Sequence, residues 1–300
     1  MAAQKKTISK LFSYGYGLGE FGFTFFNFLV AYYLMYYLTD VLCLPMLTAA
    51  AIYSAVQWVE VATMLASGIV IDKAQLKGGK YRPWIIMGSV VCAVSTVIFF
   101  TDFHLSKTLS AIIFTIAYFC CYCGYNTMWV AYRALLNPLC KSAKDSVVIT
   151  TSASQMSSIA GLIFSAVGAK LLYGFASIHT GYTVSAIAYG CLMVVCMLIV
   201  AHLVKPYDRA APDQNAHKVT MKELFRGINR NTIVFFLAVT FREAVQTIFP
   251  TLLVYYFTYT MGHPEWMSVY ITTITITTLV GYSFADKLAV RFGKRTMFLV

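Results

Sequence analysis

Charged residues are scarce in this chain of 300 residues. Asp, Glu, Lys and Arg make up 12% of it, whereas soluble domains carry about 25%. Hydrophobic residues make up 59%, and the mean hydropathy is +0.69. This composition excludes an ordinary soluble globular protein.

Histidine and cysteine give no pattern typical of a metal site or a disulfide framework. The five histidines lie in connections or at the ends of apolar runs, and "CCYC" at 120–123 falls inside an apolar run without a nearby histidine or acid. Near the outward connections we find Cys43 alone, so no disulfide pair is expected there. We expect the cysteines to be small apolar filler in helices, and we expect no metal and no cofactor.

Long continuous apolar runs fill most of the chain. Each has roughly the 20 residues needed to cross about 30 Å of hydrocarbon. Because the runs do not alternate with polar residues, they predict helices rather than the strands of a barrel. The first run is longer than the core of a signal peptide, so we expect it to be retained as a span. The runs lie near 12–38, 46–71, 83–101, 108–135, 146–174, 182–204, 232–259 and 266–285, and a ninth begins at Thr296.

The net charge of +11 follows the connections between the runs. Lys and Arg concentrate in alternate connections, whereas the opposite connections contain Lys107 alone. Positively charged connections stay in the cytoplasm. We therefore expect a multi-pass protein of the plasma membrane, the inner membrane of a bacterium, with both chain ends in the cytoplasm. The excess positive charge then reflects the topology of the chain in a lipid bilayer, and we expect no nucleic-acid partner.

One connection motif occurs twice. "DKAQLKGGK" at 72–80 and "DKLAVRFGK" at 286–294 share Asp-Lys, five residues, then Gly-Lys. A polar segment at 205–231 follows the sixth run, and apolar residues at helical spacing from Thr220 predict an amphipathic helix on the inner surface. We infer a parallel repeat: a six-helix half at 1–204, a cytoplasmic linker at 205–231 and the incomplete start of a second half at 232–300.

The repeated acids predict latches on the cytoplasmic side. Acids contribute little to membrane topology, so the recurrence of Asp72 and Asp286 suggests contacts that hold this side shut and release when the halves rock. Gly68 lies one turn before Asp72 and would let a neighbouring helix approach. The alternative is that the cations only fix topology. The gating candidates are Gly68, Asp72, Lys73, Lys80, Arg82, Asp286, Lys287 and Lys294.

Polar residues form a sector on each of the first two runs. Helical spacing places Tyr16, Glu20, Thr24 and Asn27 on one face of the first, and Tyr53, Gln57, Glu60, Thr63 and Ser67 on one face of the second. Ionisable groups at membrane depth are costly unless they face water or a partner, so Glu20, Glu60, Arg242 and Glu243 are functional candidates. The alternative is a structural ion pair that includes Arg242.

Five short motifs carry a resemblance to a known family. They are "YGLGEFG" at 16–22, "YLMYYLTD" at 33–40, "DKAQLKGGKYRPW" at 72–84, "YYFTY" at 255–259 and "RFGKR" at 291–295. The chain resembles the glycoside, pentoside and hexuronide cation symporters of the major facilitator superfamily, the branch that includes the melibiose carrier. The resemblance implies an all-α membrane protein with a major-facilitator-type bundle of twelve helices. This chain would hold the first six-helix half and about two and a half helices of the second.

The resemblance also implies a cation site. Glu60 corresponds to the first of two carboxylates that the family carries on its second helix, and Met64 occupies the second position. Thr63 and Asn126 match neighbouring polar positions, so the cation-coupling candidates are Glu60, Thr63 and Asn126. A single buried glutamate can carry a proton, whereas sodium needs several oxygen ligands. We therefore expect H⁺ as the coupling ion. Na⁺ stays open as an alternative if Asn126, Thr63 and backbone carbonyls complete its coordination shell.

The sugar-contacting positions of the family are occupied by different residues here. Phe23 and Thr24 replace its Lys-Asp pair, Trp129 its aspartate, Arg133 its tryptophan and Ala153 its arginine. The substrate-binding candidates are Glu20, Thr24, Asn27, Gln57, Tyr125, Trp129 and Arg242.

These observations predict a secondary active transporter. It would carry out cation-coupled symport of a small polar solute, a sugar or a glycoside. No cluster of acids or histidines at membrane depth indicates catalysis, so we do not expect an enzyme. Two alternatives stay open: a truncated, non-transporting remnant, and a carrier of a more apolar, lysolipid-like solute, since Phe23, Met64 and Trp129 make the site more apolar.

Overall fold

The computed structural model describes residues 9–74, 76, 78–140, 142–208 and 229–292, with side chains of the last helix described up to Gly281. Within these ranges the chain forms helices and turns and no strand. The helices are α1 (Lys10–Tyr36), α2 (Met46–Lys73), α3 (Arg82–Phe99), α4 (Lys107–Ala134), α5 (Leu136–Leu139), α6 (Ala143–Tyr173), α7 (Ile178–Leu203), α8 (Arg230–Tyr255) and α9 (Trp266–Phe292). After α1 and α8 come π-helical turns at Tyr37–Val41 and Tyr256–Thr260.

The predicted all-α membrane class is confirmed. Seven helices, α1 to α4 and α6 to α8, are long and apolar enough to cross a membrane, and the described apolar part of α9, Trp266–Gly281, is shorter. The amphipathic helix predicted from Thr220 and the run predicted from Thr296 lie outside the described residues. The end of α7 and the start of α8 flank the predicted linker, and the division into two halves stays a prediction.

The helices alternate in direction and define two sides of the bundle. We call "basic side" the side with the connection at 74–81, the end of α7 and the start of α8. We call "far side" the opposite side, with the connections at 42–45, 101–106, 174–177 and 261–265.

Helix α1 is central in the bundle. It packs against α6, α7 and α8, while α3 packs against α4 and α7, α2 against α4, and α9 against α6. The α3–α4 crossing depends on two glycines, because a Cβ on Gly88 would lie 2.6 Å from the carbonyl oxygen of Gly124. Small residues let the backbones of membrane helices approach closely. The core therefore holds the first helices rigidly around the polar faces described next.

Candidate functional site

Two adjoining cavities are lined by polar residues, and the larger of the two lies between α1, α2, α4, α8 and α9. Its volume is about 710 Å³, within the range of roughly 300–1,000 Å³ typical of small-molecule pockets. Asn27, Gln57 and Tyr125 from the predicted substrate set line it, and so does Glu60 from the predicted cation set. The sequence therefore located the polar faces of α1 and α2 that meet at this cavity.

The three predicted cation-coupling residues lie together. The side-chain amide of Asn126 donates to the backbone carbonyl of Glu60 at 3.1 Å and to Thr63 Oγ1 at 2.7 Å. Thr63 donates to the same carbonyl at 3.0 Å. Because a carbonyl can only accept, the amide nitrogen of Asn126 and not its oxygen must face α2.

These bonds tie α4 to α2 beside the Glu60 carboxylate. That carboxylate faces the larger cavity and makes no hydrogen bond or ion pair within the described part of the chain. Asn126 is buried. The arrangement leaves one acidic group free to exchange a proton with the cavity while its helix is held in place.

A smaller cavity of about 280 Å³ adjoins the larger one. Both cavities are lined by Phe28, Tyr32 and Ile274. Hydroxyl groups form much of the smaller wall, from Thr150, Ser154, Ser157, Ser158, Thr275 and Thr278. Such a wall can donate and accept hydrogen bonds in many directions, as a polyhydroxylated solute requires.

An ion pair lies at the smaller cavity. Arg133 Nη2 is 2.7 Å from Glu20 Oε1, and the Glu20 side chain is 10% exposed whereas the Arg133 side chain is 45% exposed. Glu20 is thus buried against its partner, while part of the guanidinium stays accessible. Arg133 was not among the predicted site residues, although an arginine within an apolar run carries the same signal as Glu20.

Aromatic rings connect this ion pair to the larger cavity. The Arg133 guanidinium lies over the Trp129 ring at 4.4 Å, a cation–π contact. The Phe23 ring lies 4.5 Å from that of Trp129 and 5.3 Å from that of Tyr125. Trp129 and Tyr125 from the predicted set therefore belong to one aromatic surface on α1 and α4.

The other predicted substrate residues lie apart from the cavity linings. Thr24 is buried, donates to the Glu20 carbonyl at 2.7 Å and pairs with Ser157 Oγ at 2.8 Å, so it joins α1 to α6. Arg242 forms an ion pair with its neighbour Glu243 and is 66% exposed. The structure thus brings Glu20 to a cavity but does not bring Arg242 to one.

On the basic side, Asp72 binds within its own connection. Its carboxylate lies 2.8 Å from Lys80 Nζ, and this hydrogen bond raises the pKa of the Lys80 ammonium above its ordinary value. The predicted latch between Asp72 and the second half is not tested by this pair and stays a prediction. In this arrangement the connection folds back past the end of α2 and supplies a cation to Asp72.

A different acid binds a helix N-terminus here. Asp208, which is 4% exposed, accepts hydrogen bonds from the backbone N–H groups of Tyr81 and Arg82, both at 3.0 Å. Gly79 has φ +134°, and a Cβ on it would lie 2.0 Å from Asp208 Oδ2. Arg82 Nε also donates to the Ala201 carbonyl at 2.6 Å. The end of α7 therefore holds the start of α3.

The remaining gating candidates are placed in part. A Cβ on Gly68 would meet nothing within 4 Å among the described residues, and the close approach of a helix at this glycine stays a prediction. Lys73 is exposed at the end of α2. The side chains of Asp286 and Lys287 and the whole of Lys294 lie outside the described residues, and their gating roles stay predictions.

The sequence matches the MFS/sugar transport protein family over residues 15–300. The chain belongs to this family. The resemblance inferred from the five motifs is thereby confirmed, together with the predicted major-facilitator class.

Individual relatives are symporters and sugar carriers by name. The uncharacterized symporter YjmB of Bacillus subtilis is 28% identical over 298 residues, which cover 97% of this chain and 64% of that protein. The lactose permease of Leuconostoc lactis is 24% identical, covering 90% and 45%. The isoprimeverose transporter of Lactiplantibacillus pentosus is 23% identical, covering 96% and 60%. The chain thus spans less than two thirds of the length of these relatives.

Proposed function

We propose that the complete protein is a cation-coupled symporter of a sugar or glycoside and that Glu60 carries the coupling proton. The proposal rests on the Glu60 carboxylate at the cavity between α1, α2, α4, α8 and α9, which has no hydrogen-bond or ion-pair partner among the residues that the structure describes. A charge at membrane depth is costly, so it is retained where it serves a solute or ion pathway.

The hydrogen bonds beside Glu60 favour a proton over sodium. Sodium needs several oxygen ligands to replace its hydration shell. The Glu60 carbonyl and the Thr63 hydroxyl already accept bonds from the Asn126 amide, whose nitrogen faces them. A proton needs the carboxylate alone, and one proton neutralises it.

Aromatic and hydroxyl surfaces support a sugar as the solute. Sugar rings present apolar C–H faces that pack on aromatic rings and hydroxyl edges that need hydrogen-bonding partners. Tyr53, Tyr122 and Tyr125 supply rings at the larger cavity, and the smaller cavity supplies Ser and Thr hydroxyls beside the Glu20–Arg133 pair. Relatives that are named as carriers of lactose and isoprimeverose support the same class.

The orientation follows from charge. Since Lys and Arg concentrate on the basic side, we assign this side to the cytoplasm. Contacts between α8 or α9 and the earlier helices include Thr251 to the Ala31 carbonyl at 3.1 Å and Thr272 to Ser165 at 2.7 Å. These lie towards the far side, so the arrangement corresponds to a carrier closed to the outside.

Uptake by the complete protein in proteoliposomes tests the proposal. We would measure accumulation of labelled lactose and isoprimeverose under an imposed proton gradient or sodium gradient, together with exchange without a gradient. Glu60→Gln mimics the protonated acid, so it should abolish gradient-driven accumulation and preserve exchange. The matched control is Glu265→Gln, because Glu265 is exposed on the far side and pairs with His263.

The outcomes separate the alternatives. Accumulation that follows sodium and ignores a protonophore at fixed membrane potential would overturn the proton assignment. Uptake of a lysophospholipid but of neither sugar would favour the lysolipid carrier. Absence of uptake and exchange for every solute, with the protein correctly inserted, would favour a non-transporting remnant.

A further inference from the structure

The far ends of α1 and α8 have the same irregular backbone. At the end of α1, the Leu42 N–H donates to the Tyr37 carbonyl and the Leu44 N–H donates to the Leu38 carbonyl. At the end of α8, the Met261 N–H donates to the Tyr256 carbonyl and the His263 N–H donates to the Phe257 carbonyl. Each segment then has a residue with positive φ, Cys43 at 51° and Gly262 at 69°. Superposing the two patterns pairs "YYLTD" at 36–40 with "YYFTY" at 255–259, so the segments are structural repeats.

The two repeats contact each other through a chain of hydroxyl groups. Thr39 Oγ1 lies 2.8 Å from the Tyr255 hydroxyl and also bonds to the Met35 carbonyl and the Asp40 carboxylate. The carbonyl and the ionised carboxylate accept but cannot donate, so the single Thr39 proton goes to one of them. Tyr255 must therefore donate to Thr39. The Asp40 carboxylate is the nearer of the two acceptors, so the chain Tyr255 to Thr39 to Asp40 ends on a charge, and such bonds are stronger than neutral ones.

This chain lies directly beyond the larger cavity on both helices. On α1 the cavity is lined up to Met35, and Tyr36 follows; on α8 it is lined up to Thr251, and Tyr255 is one turn further. The rings of Tyr36 and Tyr255 lie 6.1 Å apart. The contact is thus interposed between the cavity and the far surface.

The contact is asymmetric although its backbone is repeated. By the repeat, the counterpart of the Tyr255–Thr39 bond would join Tyr36 to Thr258. Thr258 Oγ1 is instead buried without a hydrogen-bond partner in the described part of the chain. The counterpart of Asp40 is Tyr259, so only the first repeat offers a carboxylate to its threonine. Of the two equivalent positions, the one with the carboxylate is thus the one at which the Tyr–Thr bond is formed among the described residues.

We propose that these two π-helical ends form the outer gate of the cavity, latched by the chain Tyr255–Thr39–Asp40. The inference rests on the proposed transport function, since a gate needs a transport cycle. Opening to the far side must break the Tyr255–Thr39 bond and separate the Tyr36 and Tyr255 rings. The carboxylate favours the closed state, and Asp40→Asn should weaken it because a neutral acceptor binds the Thr39 hydroxyl less strongly.

The gate is tested by spin-label distances in the complete protein reconstituted in nanodiscs. One label is placed on native Cys43 and the other on Met261→Cys, with the remaining cysteines replaced by alanine, and no solute is added. Tyr255→Phe and Thr39→Val each remove the shared bond. Each should raise the ratio of far-side-open to far-side-closed distances about fivefold, the factor typical of one hydrogen bond.

Two comparisons decide whether that bond is responsible. The double variant should shift the ratio no further than either single one, because both remove the same interaction. The matched control Tyr256→Phe removes the hydroxyl of the adjacent, exposed tyrosine and should leave the ratio unchanged. Equal shifts for Tyr255→Phe and Tyr256→Phe, or single effects that multiply in the double variant, would overturn the gate.

A cross-link provides a test that does not depend on the single variants folding well. The double variant Thr39→Cys with Tyr255→Cys is bridged by a short reducible cross-linker. The bridge should stop solute uptake, and reduction of the bridge should restore uptake. Persistent uptake with the bridge in place would overturn the gate. Shifted distances without uptake of any sugar would instead retain the gate and refute the sugar function.

Discussion

Asp208→Ala should destabilise the protein from the basic side. The carboxylate is buried and accepts backbone N–H groups at the start of α3, from Tyr81 and Arg82. Hydrogen bonds to charged groups contribute about 1.5–3 kcal/mol each, and loss of an N-terminal cap costs about 0.5–2 kcal/mol. Because water can reach the freed N–H groups, we expect a loss of about 2–4 kcal/mol. For a chain of 300 residues, this would lower Tm by roughly 3–6 °C.

Gly79→Ala reports on the same contact from the other partner. Its Cβ would lie 2.0 Å from Asp208 Oδ2, so the carboxylate must leave and its bonds are lost. The positive φ adds backbone strain of about 1–3 kcal/mol. In the Asp208→Ala background only the strain remains. The two substitutions should therefore be non-additive by about the 2–4 kcal/mol of the cap.

Thermal unfolding of the purified protein in detergent measures both effects. Asp72→Ala serves as the control, because Asp72 is an exposed acid of the neighbouring connection and its pair with Lys80 is worth about 1 kcal/mol at most. If Gly79→Ala lowers the free energy of unfolding by the same amount in the wild-type and Asp208→Ala proteins, the Asp208 carboxylate does not lie against Gly79 and the reasoning is refuted. A loss for Asp208→Ala no larger than that for Asp72→Ala would refute the capping role.

Two further predictions concern charged pairs. Arg133→Lys keeps the positive charge beside Glu20 but removes the planar guanidinium over Trp129. We therefore expect the apparent KM for the transported solute to rise about tenfold or more, and an unchanged KM would contradict this expectation. The hydrogen bond to Asp72 raises the pKa of Lys80. The Lys80–Asp72 bridge therefore stabilises the fold fully at pH values below the ordinary lysine pKa of about 10.4, and this stabilisation is lost as the pH rises through the raised pKa of Lys80. Asp72→Asn should remove this part of the alkaline fall in Tm, and an identical fall in both proteins would contradict it.

The sequence predicted the helices and the cavity faces because both follow from local pattern. Apolar runs of the required length located the membrane helices, and helical spacing placed Asn27, Gln57 and Glu60 on faces that line one cavity. Each inference needed only residues that are neighbours along one helix. Asn126 was assigned through family resemblance, and the structure places it against Glu60 and Thr63.

The contacts between distant segments could not be predicted in this way. Asp208 follows α7 in a polar segment, and nothing near it in sequence shows that the start of α3 needs an acceptor there. Gly68 and Asp72 share a helix face, but the cation that binds Asp72 comes from a connection that folds back. The direction of a polar side chain at a helix end depends on how the connection turns, which spacing does not specify.

Under the proposed proton coupling, pairing distinguishes the acids at membrane depth. Glu20 is bonded to Arg133, and Arg242 is bonded to Glu243, so each pair is close to neutral as it stands. Glu60 faces the cavity without such a partner in the described part of the chain. Protonation of Glu60 therefore removes a net charge from the cavity, whereas protonation of Glu20 would leave Arg133 uncompensated. An unpaired charge at membrane depth is costly whether it is positive or negative. Neutralising Glu60 therefore lowers the free-energy cost of moving the empty cavity from one side of the membrane to the other, whereas neutralising Glu20 would raise that cost.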